Sequence, residues 1–465
     1  MNIQKSEIQH RKMTEEKIRP LILRLAAPTT VGMLVTALYS LADAFFVSEL
    51  GTEASAAVGV TFAIQALIQA VGYTLGLGAG SLMSRSLGSK KNDEAGAYAT
   101  VAFWLSVFSG VLIMLVGLVW TGPVIRLLGA TDSIYPYAVS YARYLFLSTP
   151  FMCTCFVLSQ LLRAEGKAVY SMAGLAVGSV LNVLLDPLLI NTFKMGIAGA
   201  SFATLISQFV GLVVLLSAYF FKQSQVNLFA KISLRDFANS GKILITGLPS
   251  AFRQGLTALA TILLNHAAGI WGDAAVAAIS VVTRLFILAF SICLGVGQGM
   301  MPVVGYNYGF DRKDRVRHAY LFSVILSCVL MLVLSIPTLI WAPQLIGLFR
   351  KDPEVIAIGT VALRAQCYAF WVHGLITCTI MMLQAIGKQF SAAILACARQ
   401  GLFFLPLIFW LPSAFGIKSV IYVQPISDAL TFLFAVPFSI YALKHLRENK
   451  KNKKRDVAPI RTTSL

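Results

Sequence analysis

The second half of this chain repeats the first at a fixed displacement of 221 residues. Pro28 pairs with Pro249, Gly51 with Gly272, Ala54 with Ala275 and Ala57 with Ala278. Gly76, Gly78, Gly88 and Asp93 pair with Gly297, Gly299, Gly309 and Asp314, and Arg143 pairs with Arg364. Ala164-Glu165-Gly166-Lys167 falls on Ala385-Ile386-Gly387-Lys388. A register kept this long is a duplication, so the two halves must adopt the same fold.

Each half holds six hydrophobic stretches, at 21–47, 55–84, 98–120, 134–162, 169–191 and 197–221, then at 243–270, 274–306, 318–341, 355–383, 390–411 and 417–443. Each is near or above the roughly 20 residues a helix needs to cross a bilayer. The chain is 57% hydrophobic and 12% charged, too apolar for the surface of a soluble domain. The expected fold is an all-α integral membrane protein with twelve transmembrane helices in two six-helix repeats. Its parts are an N-terminal segment (1–20), a first lobe (21–221), a linker (222–242), a second lobe (243–443) and a basic tail (444–465). A duplicated membrane bundle whose copies differ in their polar residues is the pattern of a secondary transporter.

The net charge of +18 suggests nucleic acid until its distribution is considered. Lys5, Arg11, Lys12, Lys17, Arg19 and Arg24 precede or open the first span. Arg85, Lys90, Lys91, Lys167, Lys222, Lys231, Arg235, Lys242, Arg312, Lys313, Arg315, Arg317, Lys388 and the tail all fall on that same side of a twelve-helix count. The other side carries mainly Glu49, Glu53, Asp132, Asp273, Asp352 and Glu354. By the positive-inside rule both termini are expected in the cytoplasm. Six helices per repeat then make the copies parallel, related by an axis along the membrane normal. The tail is positioned to touch anionic lipid. All seven cysteines lie in apolar segments without metal or redox spacing, as buried structural thiols do. The polar N-terminus has no short apolar core with a cleavage site, so no signal peptide is expected.

A carboxylate at the bilayer centre costs about 2.5–3.5 kcal/mol, so each one needs a reason. Asp43, Asp186 and Asp428 lie inside expected spans. Asp43 and Asp186 both fall about 10 Å below the outer ends of their helices at 1.5 Å per residue, and Thr204 is at the same depth. Asn182 is one turn from Asp186 on the same helical face. Pro187 removes the amide that would bond the Val183 carbonyl and predicts a kink. This set of oxygens suits a small hard cation such as Na⁺, and two neighbouring carboxyls equally suit a shared proton. In the second copy the equivalents are Leu264, Phe403 and Leu407, so any such site belongs to the first lobe alone.

Asp428 has Arg399, Gln400 and Gln424 nearby in sequence. An interior ion pair with Arg399 and a part in substrate binding are both open to it. Arg284, Gln298, Gln384 and Arg399 are further candidates for a central cavity, and Arg253 adds another base. Arg143 and Arg364, being repeat-related, are expected to share a packing role. His373 is expected to be a satisfied core histidine. The runs 76–80 and 295–299 look like phosphate loops but lack the following Lys-Ser/Thr, so close helix packing explains them better.

Several segments together resemble the multidrug and toxic compound extrusion (MATE) family, in its MepA-like branch near the DinF group. They are Pro28 with 39–43, the run from Gly78-Ala79-Gly80 to Ser84-Arg85-Ser86-Leu87-Gly88, Arg163-Ala164-Glu165-Gly166, 181–187, and Gly387 after Gln384-Ala385. The resemblance covers residues 15–445. It implies two bundles around a V-shaped cavity and export of organic cations by antiport with Na⁺ or H⁺ through alternating access. It also implies a first-lobe cation site of Asp43, Asn182, Asp186 and Thr204, with bending of the first helix at Pro28. The acids that other branches carry in helices 7, 8 and 10 have no counterpart here.

The function expected is therefore multidrug efflux in the cytoplasmic membrane. It needs no cofactor beyond the coupling ion and no nucleic acid, with cationic drugs or dyes and membrane lipid as partners and a monomer as the working unit. A lipid-linked precursor flippase of the same superfamily is the alternative, since Arg253, Arg284 and Arg399 suit a pyrophosphate. No nucleophile–base set or metal spacing suggests an enzyme.

Overall fold

The computed structural model describes residues 2–221, 223–229 and 234–455, and every regular element among them is helical. Lys222 and Lys231 of the linker and residues 456–465 of the tail lie outside the described residues. A short helix, α1 (Asn2–Glu15), precedes the first lobe. That lobe comprises α2 (Ile18–Ser48), α3 (Thr52–Gly88), α4 (Asn92–Val119), the short α5 (Thr121–Leu127), α6 (Tyr135–Ala164), α7 (Ala168–Pro187) and α8 (Ile197–Phe220). After α9 (Leu234–Phe237), the second lobe comprises α10 (Asn239–Trp271), α11 (Asp273–Gly309), α12 (Lys313–Ile340) and the short α13 (Ala342–Phe349). It continues with α14 (Pro353–Tyr368), α15 (Val372–Ala385), α16 (Gln389–Cys397), α17 (Phe404–Phe415) and α18 (Val420–Arg455).

Among the described residues ten helical runs are long and apolar enough to cross a membrane, and α14 with α15 makes an eleventh, bent by 56°. The twelfth span is α10, whose 33 residues include Arg253, Gln254, Asn265 and His266. Spans of this kind fold as helices because lipid offers backbone N–H and C=O groups no other partner. The two π-helical turns sit in the fifth span of each lobe. One follows Pro187 (Leu188–Thr192), and the other (Ala398–Phe403) joins α16 to α17 and contains Arg399.

The duplication extends to the backbone. Gly51 (φ 115°) and Gly272 (φ 135°) cap α3 and α11 in a conformation that favours glycine, and Lys90 (φ 61°) and Asp311 (φ 56°) make the same left-handed turn after those helices. Packing between the lobes obeys the same symmetry: α3 lies on α10, and α2 lies on α11. Backbones meet closely there. A Cβ on Gly78 would stand 2.2 Å from the Ile243 carbonyl oxygen, and one on Gly247 would stand 1.9 Å from that of Thr74. Gly295 and Gly299 likewise face Thr30 and Ala26. The glycine runs are therefore helix-packing surfaces, as their sequence suggests.

These interlobe contacts fall in the halves of the helices nearest the chain termini. The largest core spans both lobes there, with Leu21, Leu25, Leu77, Met83, Ile243, Val296, Met300 and Tyr306 all buried, together with Met13 of α1. Toward the opposite face each lobe has a core of its own, around Ile68, Tyr141 and Cys153 in one and Met331, Leu363 and Phe370 in the other. The lobes are joined at one end, as a V requires.

Helix α1 reaches across that joint. Gln9 donates to the Glu165 carbonyl (3.0 Å), and His10 Nε2 pairs with the Gly88 carbonyl (3.0 Å). From the second lobe, Asn307 donates to the Met13 carbonyl (2.9 Å) and Arg312 to that of Thr14 (2.9 Å).

Candidate functional site

Asp43 on α2, Asn182 and Asp186 on α7 and Thr204 on α8 are all buried, at 8%, 1%, 0% and 4% exposure. Helices α2 and α8 both pack on α7, which carries two of the four groups. The Asn182 amide can be set two ways. With its oxygen toward the Thr204 N–H (3.2 Å), its nitrogen donates to Asp186 Oδ2 (3.3 Å). With its nitrogen donating to Thr204 Oγ1 (3.3 Å), its oxygen is left for the carboxyl side. Asp43 lies within electrostatic reach of Asp186, and Tyr39 and Tyr141 lie within reach of both. Gln65 donates to the Tyr141 hydroxyl (3.4 Å). Asp43 Oδ1 and Asp186 Oδ1 have no protein hydrogen-bond partner. Two interacting carboxyls are thus enclosed, and among the described residues no base forms a salt bridge with either. Chemically, the cluster can take up a proton or a hard monovalent cation.

Tyr141 and Gln65 of this cluster escaped the sequence analysis because each is an ordinary residue on its own helix.

The second lobe treats its acid differently. Asp428 is fully buried, and four donors converge on it. Arg399 Nε (2.7 Å) and Gln424 Nε2 (2.8 Å) reach Oδ1, while Gln366 Nε2 (2.8 Å) and His373 Nε2 (3.1 Å) reach Oδ2. The guanidinium also lies over Phe286 and Phe290, 5.1 and 5.6 Å from the ring centroids. The ion pair with Arg399 and the bond from Gln424 agree with the simpler expectation. Gln366 and His373 come from the two sides of the bend between α14 and α15, which carries no proline in the sequence. His373 is satisfied only at Nε2, its Nδ1 being unpartnered.

Of the other cavity candidates, Arg284 is exposed on α11. Gln384 is taken up by protein in this conformation. Its side-chain amide donates to the Thr246 carbonyl (2.9 Å) and to Ser250 (3.3 Å), while its backbone carbonyl accepts from Ser81 of the other lobe (2.8 Å). Gln298 is 2% exposed at the joint between the lobes. Neither glutamine faces an open cavity here, because the lobes close over both. The packing role expected for Arg143 and Arg364 does not match their positions: both are exposed, and Arg364 donates to the Leu339 carbonyl (3.3 Å). Among the described residues no three His, Cys, Asp or Glu side chains converge as a metal centre would require.

Comparison with known proteins bears on the whole arrangement. A sequence model described as MatE matches residues 28–188 and 249–410, one stretch in each repeat. The chain is 26% identical over 432 residues to the multidrug export protein MepA of Staphylococcus haemolyticus, covering 93% of this chain and 95% of that one. It superimposes with a TM-score of 0.88 on a MOP superfamily transporter from Pyrococcus furiosus described as having a binding pocket of reverse polarity, at 27% identity and covering 94% and 98% of the two chains. A multidrug resistance MATE transporter in an outward-facing conformation gives 0.87, at 28% identity and the same coverage. With both repeats matched and the twelve-helix arrangement shared, the chain belongs to the MatE family.

Proposed function

We propose that the chain is a multidrug efflux transporter that exports organic cations in exchange for Na⁺ or H⁺. The observation that carries this reading is the pair of buried, unneutralised carboxyls, Asp43 and Asp186, in one lobe only. Intramembrane carboxyls are costly and mark ion pathways or proton relays. Multidrug export by the MepA relative supports the substrate class.

With the termini in the cytoplasm, the joint between the lobes closes the inner face and the V opens outward. A cation or proton entering from outside reaches Asp43 and Asp186. The amide of Asn182 suits both states of the site: nitrogen toward a free Asp186 carboxylate, oxygen toward a bound ion or a protonated carboxyl. Pro28 lies about 22 Å along α2 from Asp43, between Ala26 and Thr30, the residues that face Gly299 and Gly295 of α11. A bend at Pro28 therefore acts directly on the interlobe joint. Loading the site at one end of α2 and loosening the joint at the other exchanges ion for drug. A one-for-one exchange of monovalent cations moves no net charge, so the coupling ion's own concentration gradient drives it, about 1.4 kcal/mol for each tenfold.

The test is ethidium efflux from proteoliposomes under an imposed Na⁺ or pH gradient. Wild type is expected to respond to one of the two, and Asp43→Asn and Asp186→Asn are expected to fall to background under both. Efflux kept by both variants would refute the first-lobe site. A second reading, export of an anionic lipid-linked precursor, draws on Arg253 and Arg284 in the other lobe. It is favoured if folded wild type moves no cationic dye.

A further inference from the structure

Arg163, a buried arginine of the first lobe, lacks what Arg399 has. It is 3% exposed on α6, close to the joint between the lobes. Its Nη2 donates to Ser159 Oγ (3.1 Å), and its Nε has no protein partner. The adjacent acid is committed elsewhere: Glu165 accepts from Ser224, from the Gln225 N–H (2.9 Å) and from Lys167 (2.9 Å). Among the described residues no carboxylate lies within salt-bridge distance of Arg163; the ionisable group that acts on it is the Tyr73 phenol. A guanidinium enclosed in a bilayer protein without a counter-charge is strongly disfavoured.

Arg163 borders a cavity of about 20 Å³ that both lobes build. Gly80, Ser81, Ser84 and Gln160 come from one lobe and Gln298 from the other. Gln160 Nε2 is a second buried donor without a partner, and Gln298 Oε1 is an unpartnered acceptor. Both glutamines are at least 97% buried. The cavity has room for one water or one monatomic ion. A fixed positive charge with two free donors selects for an anion.

We propose that this interlobe cavity binds a small inorganic anion, a halide such as chloride, held by Arg163 and Gln160 and closed over by Gln298. The anion supplies the counter-charge that Asp428 supplies to Arg399. Because the second lobe forms part of the wall, the bound halide favours the conformation in which the lobes are joined at this end. The site is distinct from the carboxyl pair, which lies toward the other ends of the helices.

The experiment is thermal unfolding of the purified full-length protein in sodium chloride, sodium bromide and sodium gluconate at equal ionic strength. Sodium is held constant so that the carboxyl site sees no change. Chloride and bromide are expected to raise Tm saturably by about 2 °C or more over gluconate, which is too large for the cavity. Arg163→Met is expected to abolish the halide-specific rise. Gln160→Met, which keeps the guanidinium, is expected to weaken halide affinity several-fold, and it serves as the test if Arg163→Met does not fold. A wild type indifferent to halide, as a water-filled cavity would be, overturns the proposal. So does a rise that survives both substitutions.

Discussion

Asp186 and Asp428 are both fully buried in homologous lobes, yet their surroundings are opposite. Asp428 has four donors, one of them a guanidinium; Asp186 shares its surroundings with a second carboxyl and leaves an oxygen unpartnered. A duplicated fold can thus hold one acid as structure and keep another available. The difference arises from what neighbouring helices contribute, since the fifth span of the second lobe places Arg399 where the first lobe has no base.

Stability measurements can break this comparison. The largest effect is expected from Asp428→Leu, which strands Arg399 and should destabilise the protein by about 3–5 kcal/mol in a mixed-micelle denaturation series. Pairing it with Arg399→Met should recover part of that loss, since the guanidinium is no longer stranded while Gln366, His373 and Gln424 still lack their acceptor. If the double variant is no better than the single, the pair is doing more than neutralising itself. Removing one donor should cost less, about 1–3 kcal/mol for His373→Leu. The smallest change is expected from Asp186→Leu, which removes a poorly partnered acid and should leave stability unchanged or slightly improved even as transport is lost. A loss there comparable to that of Asp428→Leu would show that the two acids play the same structural part.

Much of this was legible in the chain. The 221-residue displacement and the twelve apolar stretches fixed the architecture, because hydropathy is a property of each segment. The depth count grouped Asp43, Asn182, Asp186 and Thr204, because the helical rise converts sequence distance into depth. Asn182, Asp186 and Thr204 do meet, with Asp43 in electrostatic reach. The partners of Asp428 were harder to see. Arg399, His373 and Gln366 stand 29, 55 and 62 residues away in the chain. Two of them are aimed by a bend at 369–371 that no proline marks. The span of α1 across both lobes was hidden too, since a polar N-terminal segment reads as solvated until the carbonyls it offers find Asn307 and Arg312.

The sequence by itself determined that this protein is a duplicated bundle of membrane helices and which charged residues must lie within it. Only the tertiary structure decided which of those charges are neutralised. Arg399 meets Asp428, while Arg163, two residues from Glu165, does not reach it, and Asp43 and Asp186 lie in electrostatic reach of each other with no base within salt-bridge distance among the described residues. Crossing a bilayer is decided segment by segment through transfer free energy. The fate of a buried charge depends on which distant side chains the packing brings within hydrogen-bonding distance.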